Sequence, residues 1–290
     1  MSAVLAAQAS NLPTINFMLK TRIITALILI AGFIPALFLL PNTYWALAML
    51  ALSLIALHEW ASMIKLSPLQ RNIYLIMATI AGLIVIPLIE KVGFHVFFFK
   101  SLLVFFVTAL FWLFVVPVWL KTRCVVKSKL AMALLGLALI APLWLALICA
   151  KSADPWLLLV LLATIWIADS AAYFAGKNFG KHKLAPNISP GKTWEGVWGA
   201  LIGVTLFAAI LLFGLDFYNC ALFPLLWAVA ILGVIGDLFE SMMKRQANIK
   251  DSGDLLPGHG GILDRVDGII PSLPIAILMI YAYNLYSAGG

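Results

Sequence analysis

The sequence predicts an all-α integral membrane protein, a polytopic bundle of about nine transmembrane helices with the N-terminus cytoplasmic and the C-terminus outside. Three observations lead there. Of 290 residues, 64% are hydrophobic and 11% charged, and the mean hydropathy is +1.07. Soluble domains carry about 45–50% apolar and about 25% charged residues, so this excess suits lipid rather than a water-soluble core. The apolar residues fall in runs long enough to cross a bilayer, and Lys and Arg are confined mainly to the breaks between runs. A pI near 9.4 would also fit a nucleic-acid binder, but charge that punctuates apolar runs is the pattern of membrane topology, and no nucleic-acid partner is expected.

A span needs about 20 mainly apolar residues. The first, 23–40, follows Lys20 and Arg22. It exceeds the about 7–15 residues of a signal-peptide core and is followed by no small-x-small cleavage pattern, so it reads as an uncleaved span. Spans two to five are 43–62, 73–89, 96–120 and 130–150; Lys100, inside the fourth, is placed to snorkel to the interface. These five make up an N-terminal transmembrane region, 1–150. The remaining four, 155–175, 197–214, 221–243 and 269–287, form a C-terminal transmembrane region, 151–290, with polar loops at 176–196 and 244–268, where the chemistry of the chain is expected. With nine spans, the N-terminus and every second loop share one side. That side holds 16 of the 19 Lys and Arg residues, leaving Lys91, Lys100 and Lys151 opposite. Positive charge stays inside, which makes that side cytoplasmic and the protein a multi-pass component of the inner (cytoplasmic) membrane.

Four acids lie inside the spans: Glu59, Asp169, Asp237 and Glu240. An intramembrane charge costs a few kcal/mol unless paired or hydrated, so each is a functional candidate, although an interfacial carboxylate reaching water would look the same. His58-Glu59-Trp60 reads equally well as an interface belt, since Trp favours that depth. Asp237, Glu240, Ser241 and Lys244 fall at i, i+3, i+4 and i+7, one face of the eighth helix, and this stripe leads into the following loop. The loop mixes Lys244, Arg245, Lys250 and Arg265 with Asp251, Asp254, Asp264 and Asp267. Basic residues alone would suit anionic lipid; interleaved carboxylates suit a divalent metal on phosphates. The run Pro257-Gly258-His259-Gly260-Gly261 allows close backbone approach. Cys124, Cys149 and Cys220 have no metal-ligand spacing, and His259 has no second His or Cys nearby for zinc. In the other loop, Ser189-Pro190-Gly191-Lys192-Thr193-Trp194-Glu195-Gly196 contains a Gly-Lys-Thr triplet. It is no P-loop, because Pro186 stands at the first Walker glycine. It reads as a pre-helix loop with Lys192 as a phosphate contact.

Residues 241–268 resemble the signature of the CDP-diacylglycerol synthase, or phosphatidate cytidylyltransferase, family. The matching positions are Ser241, Lys244, Arg245, Lys250, Asp251, Gly253, Pro257, His259, Gly260, Gly261, Asp264, Arg265 and Asp267. The 189–196 segment and His58-Glu59-Trp60 look like the family too. Gly191 departs from it, since many members carry Lys there. The resemblance implies cytidylyl transfer from CTP to phosphatidic acid in the bilayer, giving CDP-diacylglycerol and pyrophosphate for phospholipid biosynthesis. It implies Mg²⁺ as cofactor, as one or two ions, with a further monovalent cation left open. Asp237 and Asp264 are the implied metal ligands, with Asp169 as a further candidate. Lys244, Lys250, Asp251, Arg265 and Asp267 would act in catalysis. Ser189, Lys192, Ser241, Arg245 and His259 would bind substrate, His259 either as a phosphate donor or in a structural role. A homodimer is a family-based expectation. Two other readings compete. An enzyme acting on an ether-lipid phosphate would share the signature. A transporter would place its essential charges near the midplane, whereas here they cluster at one face.

Overall fold

The computed structural model describes residues 31–214, 221–253 and 260–288. Residues 31–39 are helical (α1), the described part of the first expected span. The next helices are α2 (Asn42–Met63), α3 (Pro68–Val92) and α4 (Phe94–Leu110). A π-helical turn, Phe111–Val115, joins α4 to α5 (Val116–Thr122), followed by α6 (Lys129–Ala153) and α7 (Pro155–Phe179). A hairpin of β1 (Lys183–Ala185) and β2 (Ser189–Thr193) precedes α8 (Trp194–Gly214) and α9 (Leu222–Gln246). The short α10 (Leu263–Val266) and α11 (Ile269–Ala288) complete the chain. Eight helical stretches among the described residues are long and apolar enough to cross a membrane, and they coincide with expected spans two to nine. The protein is a multi-pass, all-α membrane protein; the hairpin is a small addition that the reading of 189–196 as a pre-helix loop lacks.

The outer surface is apolar, as lipid contact demands: Ile73, Ile76, Met77, Ile80 and Ile84 of α3 are all exposed. Inside, the indoles tie α2 to α6 through opposite donations. Trp45 Nε1 donates to Leu147 O at 3.1 Å and Trp144 Nε1 to Ala46 O at 3.0 Å. Burying an indole requires such a partner for its N–H. The closest helix pair is α7 with α8, where Gly196, Gly199 and Gly203 face Ala171, Ala172 and Ala175. A Cβ on Gly199 would stand 2.3 Å from Ala175 Cβ. Small residues on both sides let the backbones approach, the usual basis of helix association in lipid. The π-turn has a local cause. Pro117 has no N–H for the carbonyl four residues back, and the ladder widens just before it. Trp112 of that turn is buried and stacks edge-on against Phe239 of α9, centroids 5.4 Å apart.

The loops sort onto two faces. On one, Lys129 Nζ donates to Lys65 O, and Gln246 Nε2 to Cys124 O at 3.2 Å. With its amide oxygen turned toward Arg123, Asn187 accepts from that guanidinium at 2.8 Å. The loops after α2, α5, α7 and α9, which hold most of the basic residues, are therefore neighbours. On the other face Lys151 Nζ reaches Leu40 O and Asn42 Oδ1 at 2.7 and 2.8 Å. Helix α11 packs on α4 and α6 as well as on α9, so the N- and C-terminal regions share one core.

Candidate active site

The basic face gathers charges from five elements. The end of α9 supplies two i, i+4 pairs. Ser241 Oγ donates to Asp237 Oδ1 at 3.1 Å, and Lys244 Nζ stands 2.5 Å from Glu240 Oε2. The single stripe expected on this helix therefore divides. Asp237 turns to the hairpin, where Lys192 Nζ lies 2.6 Å from its Oδ2. Lys192 can reach it because β2 packs against α9 at the junction with α7 and α8. Glu240 and Lys244 turn instead to α10, where Asp264 Oδ1 accepts from Lys244 Nζ at 2.6 Å.

Around the first pair, Asp169 of α7 and Asp267 at the α10–α11 junction complete an acidic group. Asp169 feels Asp237, Lys192 and Arg265, and Asp267 feels Asp237, Lys192 and Asp169. Three carboxylates repel one another here against two cations. Asp267 Oδ1 accepts from the amide of Gly268 at 2.7 Å. Glu240 is 3% exposed, and among the described residues its carboxylate has no partner besides the Lys244 ammonium.

Asp264 is held by backbone as well as by Lys244. Its Oδ2 accepts from the amides of Ser252 and Gly261, both at 2.9 Å, and lies 3.0 Å from Ser252 Oγ. Glu59, at the end of α2, joins the same assembly. Its Oε1 accepts from Ile262 N at 2.9 Å, its Oε2 from Leu263 N at 2.8 Å, and Ser252 Oγ is 3.0 Å from Oε2. The sequence marks Glu59 only as an intramembrane acid in His58-Glu59-Trp60, with an interface belt as the equal alternative, and assigns it no role in the site.

The remaining candidates lie around these two groups. Ser189 opens β2, half-buried, paired with Ala185. Arg245 is exposed and donates to Ile249 O at 3.4 Å. Lys250 and Asp251 are exposed on the rim. His259, with Asp254 and Pro257, lies outside the described residues.

Among the described residues no three His, Cys, Asp or Glu side chains converge as a ready metal cage. Mg²⁺ does not need one, since it commonly takes one or two carboxylates and completes its shell with water and substrate phosphate. Asp237 fits that requirement. Its side chain is 37% exposed, and the group around it has acidic oxygens in surplus. Asp264 offers a carboxylate whose two oxygens are already engaged by Lys244, Ser252 and Gly261.

An all-α membrane bundle with a mixed-charge cluster at one end of its spans is suited to joining a water-soluble anion to a lipid-borne one. That defines a membrane-embedded enzyme of phosphate chemistry. The chain belongs to the cytidylyltransferase family, matched over residues 20–283. It is similar to the phosphatidate cytidylyltransferase of Haemophilus influenzae, 34% identical over 283 residues that cover 89% of this chain and 96% of the relative. The phosphatidate cytidylyltransferase of Pseudomonas aeruginosa is 36% identical over 282 residues, covering 91% of this chain and 98% of its own. That of Staphylococcus haemolyticus is 36% identical over 269 residues, covering 90% and 99%.

Proposed function

We propose that this chain transfers the cytidylyl group of CTP to phosphatidic acid, giving CDP-diacylglycerol and pyrophosphate for phospholipid synthesis. The supporting observation is the pairing of Lys192 with Asp237 and of Lys244 with Asp264 at one end of the bundle. There a lipid phosphate and a soluble triphosphate can meet, and full-length similarity to three phosphatidate cytidylyltransferases names the reactants. A phosphate oxygen of phosphatidic acid forms a bond to the α-phosphorus of CTP. The bond from that phosphorus to the bridging oxygen breaks, and pyrophosphate leaves with the electron pair. A phosphate monoester is largely dianionic at neutral pH, its second pKa being about 6, so the nucleophile needs no general base. Bringing two anions together and stabilising the leaving group is the harder task, and positioned cations perform it. Lys192, Lys244 and Arg265 are the nearest cations, with Arg245 and Lys250 at the rim and Ser189 and Ser241 as hydroxyl donors.

Mg²⁺ is the metal this reading requires, with Asp237 and Asp264 as its protein ligands and Asp169 as a third candidate. Bound there, it would offset triphosphate charge. The site faces the cytoplasm of the inner membrane, where CTP is available; the loop-charge asymmetry supports that orientation. The test is CMP incorporation from CTP into phosphatidic acid by purified protein in detergent or liposomes, with Mg²⁺ and with a chelator. Incorporation that needs Mg²⁺ and releases pyrophosphate is expected. A protein that releases no pyrophosphate with any lipid phosphate would refute the reaction.

A further inference from the structure

Glu59 lies far from the signature in sequence yet touches both described edges of it. Glu59 is 5% exposed, and among the described residues its carboxylate meets three donors, the amides of Ile262 and Leu263 and the hydroxyl of Ser252. A site with donors only is built for a carboxylate. A glutamine would offer one oxygen and turn an N–H₂ toward an N–H. The glycines of the signature fit the same group. A Cβ on Gly261 would stand 2.4 Å from Glu59 Oε2, and one on Gly253 2.8 Å from Oε1. The carboxylate from α2 fills the space beside Gly253, and together with Ser252 Oγ, 2.2 Å from such a Cβ, the space beside Gly261.

The segment held by Glu59 also holds Asp264. Ser252 and Gly261 donate to Asp264 Oδ2, and Ser252 Oγ stands 3.0 Å from both carboxylates. The hydroxyl has one proton, so it donates to one acid at a time or shares that proton between them, and either way it stands against both carboxylates. A displacement of residues 252 or 261–263 would pass through one hydrogen bond to Asp264, and through Asp264 to Lys244 and Glu240.

We propose that Glu59 is a positioning residue of the transfer reaction: anchored in α2, it fixes the backbone that aims Asp264 and Lys244 at the phosphates. This rests on the proposed function for its reaction, and on the geometry alone for its effect on the loop. The experiment compares wild type with Glu59→Gln and Glu59→Asp, reading steady-state kinetics and hydrogen exchange together. Removing an outer-shell partner of a ligand carboxylate costs about 10–100-fold in activity or metal affinity. Glu59→Gln is expected to lower kcat by that factor with a smaller change in KM for CTP, and Glu59→Asp, which keeps both acceptor oxygens, to recover part of it. In Glu59→Gln the amides of Ile262 and Leu263 should exchange faster while those of α6 and α11 keep wild-type protection. A Glu59→Gln protein with wild-type kcat and wild-type exchange at 262–263 overturns the proposal. So does a kcat loss accompanied by loss of protection throughout α2 and α6. If wild type itself transfers no CMP to phosphatidic acid, the reaction assignment fails, and the exchange at 262–263 still decides whether Glu59 holds the loop.

Discussion

At the scale of single residues, the site is a set of buried charges that tolerate burial only together. Lys244 is 12% exposed in its side chain, Glu240 4% and Asp264 8%, with the ammonium between the two carboxylates. Removing one member of a buried pair strands the other, at about 3–5 kcal/mol. Lys244→Met is therefore expected to destabilise the protein by about that amount, seen as a lower unfolding temperature in detergent. Lys244→Met combined with Glu240→Gln should recover part of the loss, because one stranded charge is gone. If the double variant unfolds as early as the single one, the cost does not arise from Glu240. Asp264→Asn probes chemistry more than folding. The amide keeps one acceptor oxygen for Ser252 and Gly261 but sets an N–H₂ against Lys244. CTP-dependent turnover is expected to fall by about 100- to 1,000-fold, the scale of losing one preorganised electrostatic contact, while the protein stays folded in membranes. Near-normal turnover would remove Asp264 from the metal and phosphate assignment.

At the scale of elements, the contact between α7 and α8, the most extensive in the bundle, places an acid and a cation of the site. Asp169 rides on α7, and Lys192 precedes α8 directly through β2, so the α7–α8 contact sets the distance between them. Lipid gives no hydrophobic drive between helices, and this contact depends on the close fit of Gly196, Gly199 and Gly203 against alanines. Gly199→Val would force the added carbons into Ala175 and the Ala171 carbonyl, which lie 2.3 and 3.0 Å from the first of them. Overpacking of this kind costs about 1–3 kcal/mol, and turnover should fall along with the unfolding temperature. Ile202→Ala on the same helix is the control. That side chain is 62% exposed on the lipid side and should be near-neutral. Equal effects of the two substitutions would mean that helix propensity, not the interface, is being measured.

At the scale of the whole molecule, hydropathy makes spans two to nine legible because it is a local property: each helix satisfies its own backbone and needs no distant partner to be recognised. The i, i+4 spacing likewise anticipates Asp237 with Ser241 and Glu240 with Lys244. The hairpin at 183–193 escapes such reading because its strands are short and carry Lys and Pro. The hold of Glu59 on residues 252 and 261–263 escapes it because α2 meets that segment only when the bundle closes. The split of the α9 stripe, with Asp237 facing Lys192 and Glu240 facing Asp264, depends on the same closure. Orientation is a global property, and the crowding of Lys and Arg residues onto one face makes a testable prediction of it. Cys124 lies on that face, exposed, whereas Cys149 is buried in α6. With Cys220→Ala as background, a membrane-impermeant maleimide is expected to label Cys124 in inverted membrane vesicles and to leave it unlabelled in intact spheroplasts. Cys149 should stay unmodified in both, because burial keeps its thiol from the reagent. Labelling in spheroplasts but not in inverted vesicles would reverse the orientation, and with it the side from which CTP must arrive.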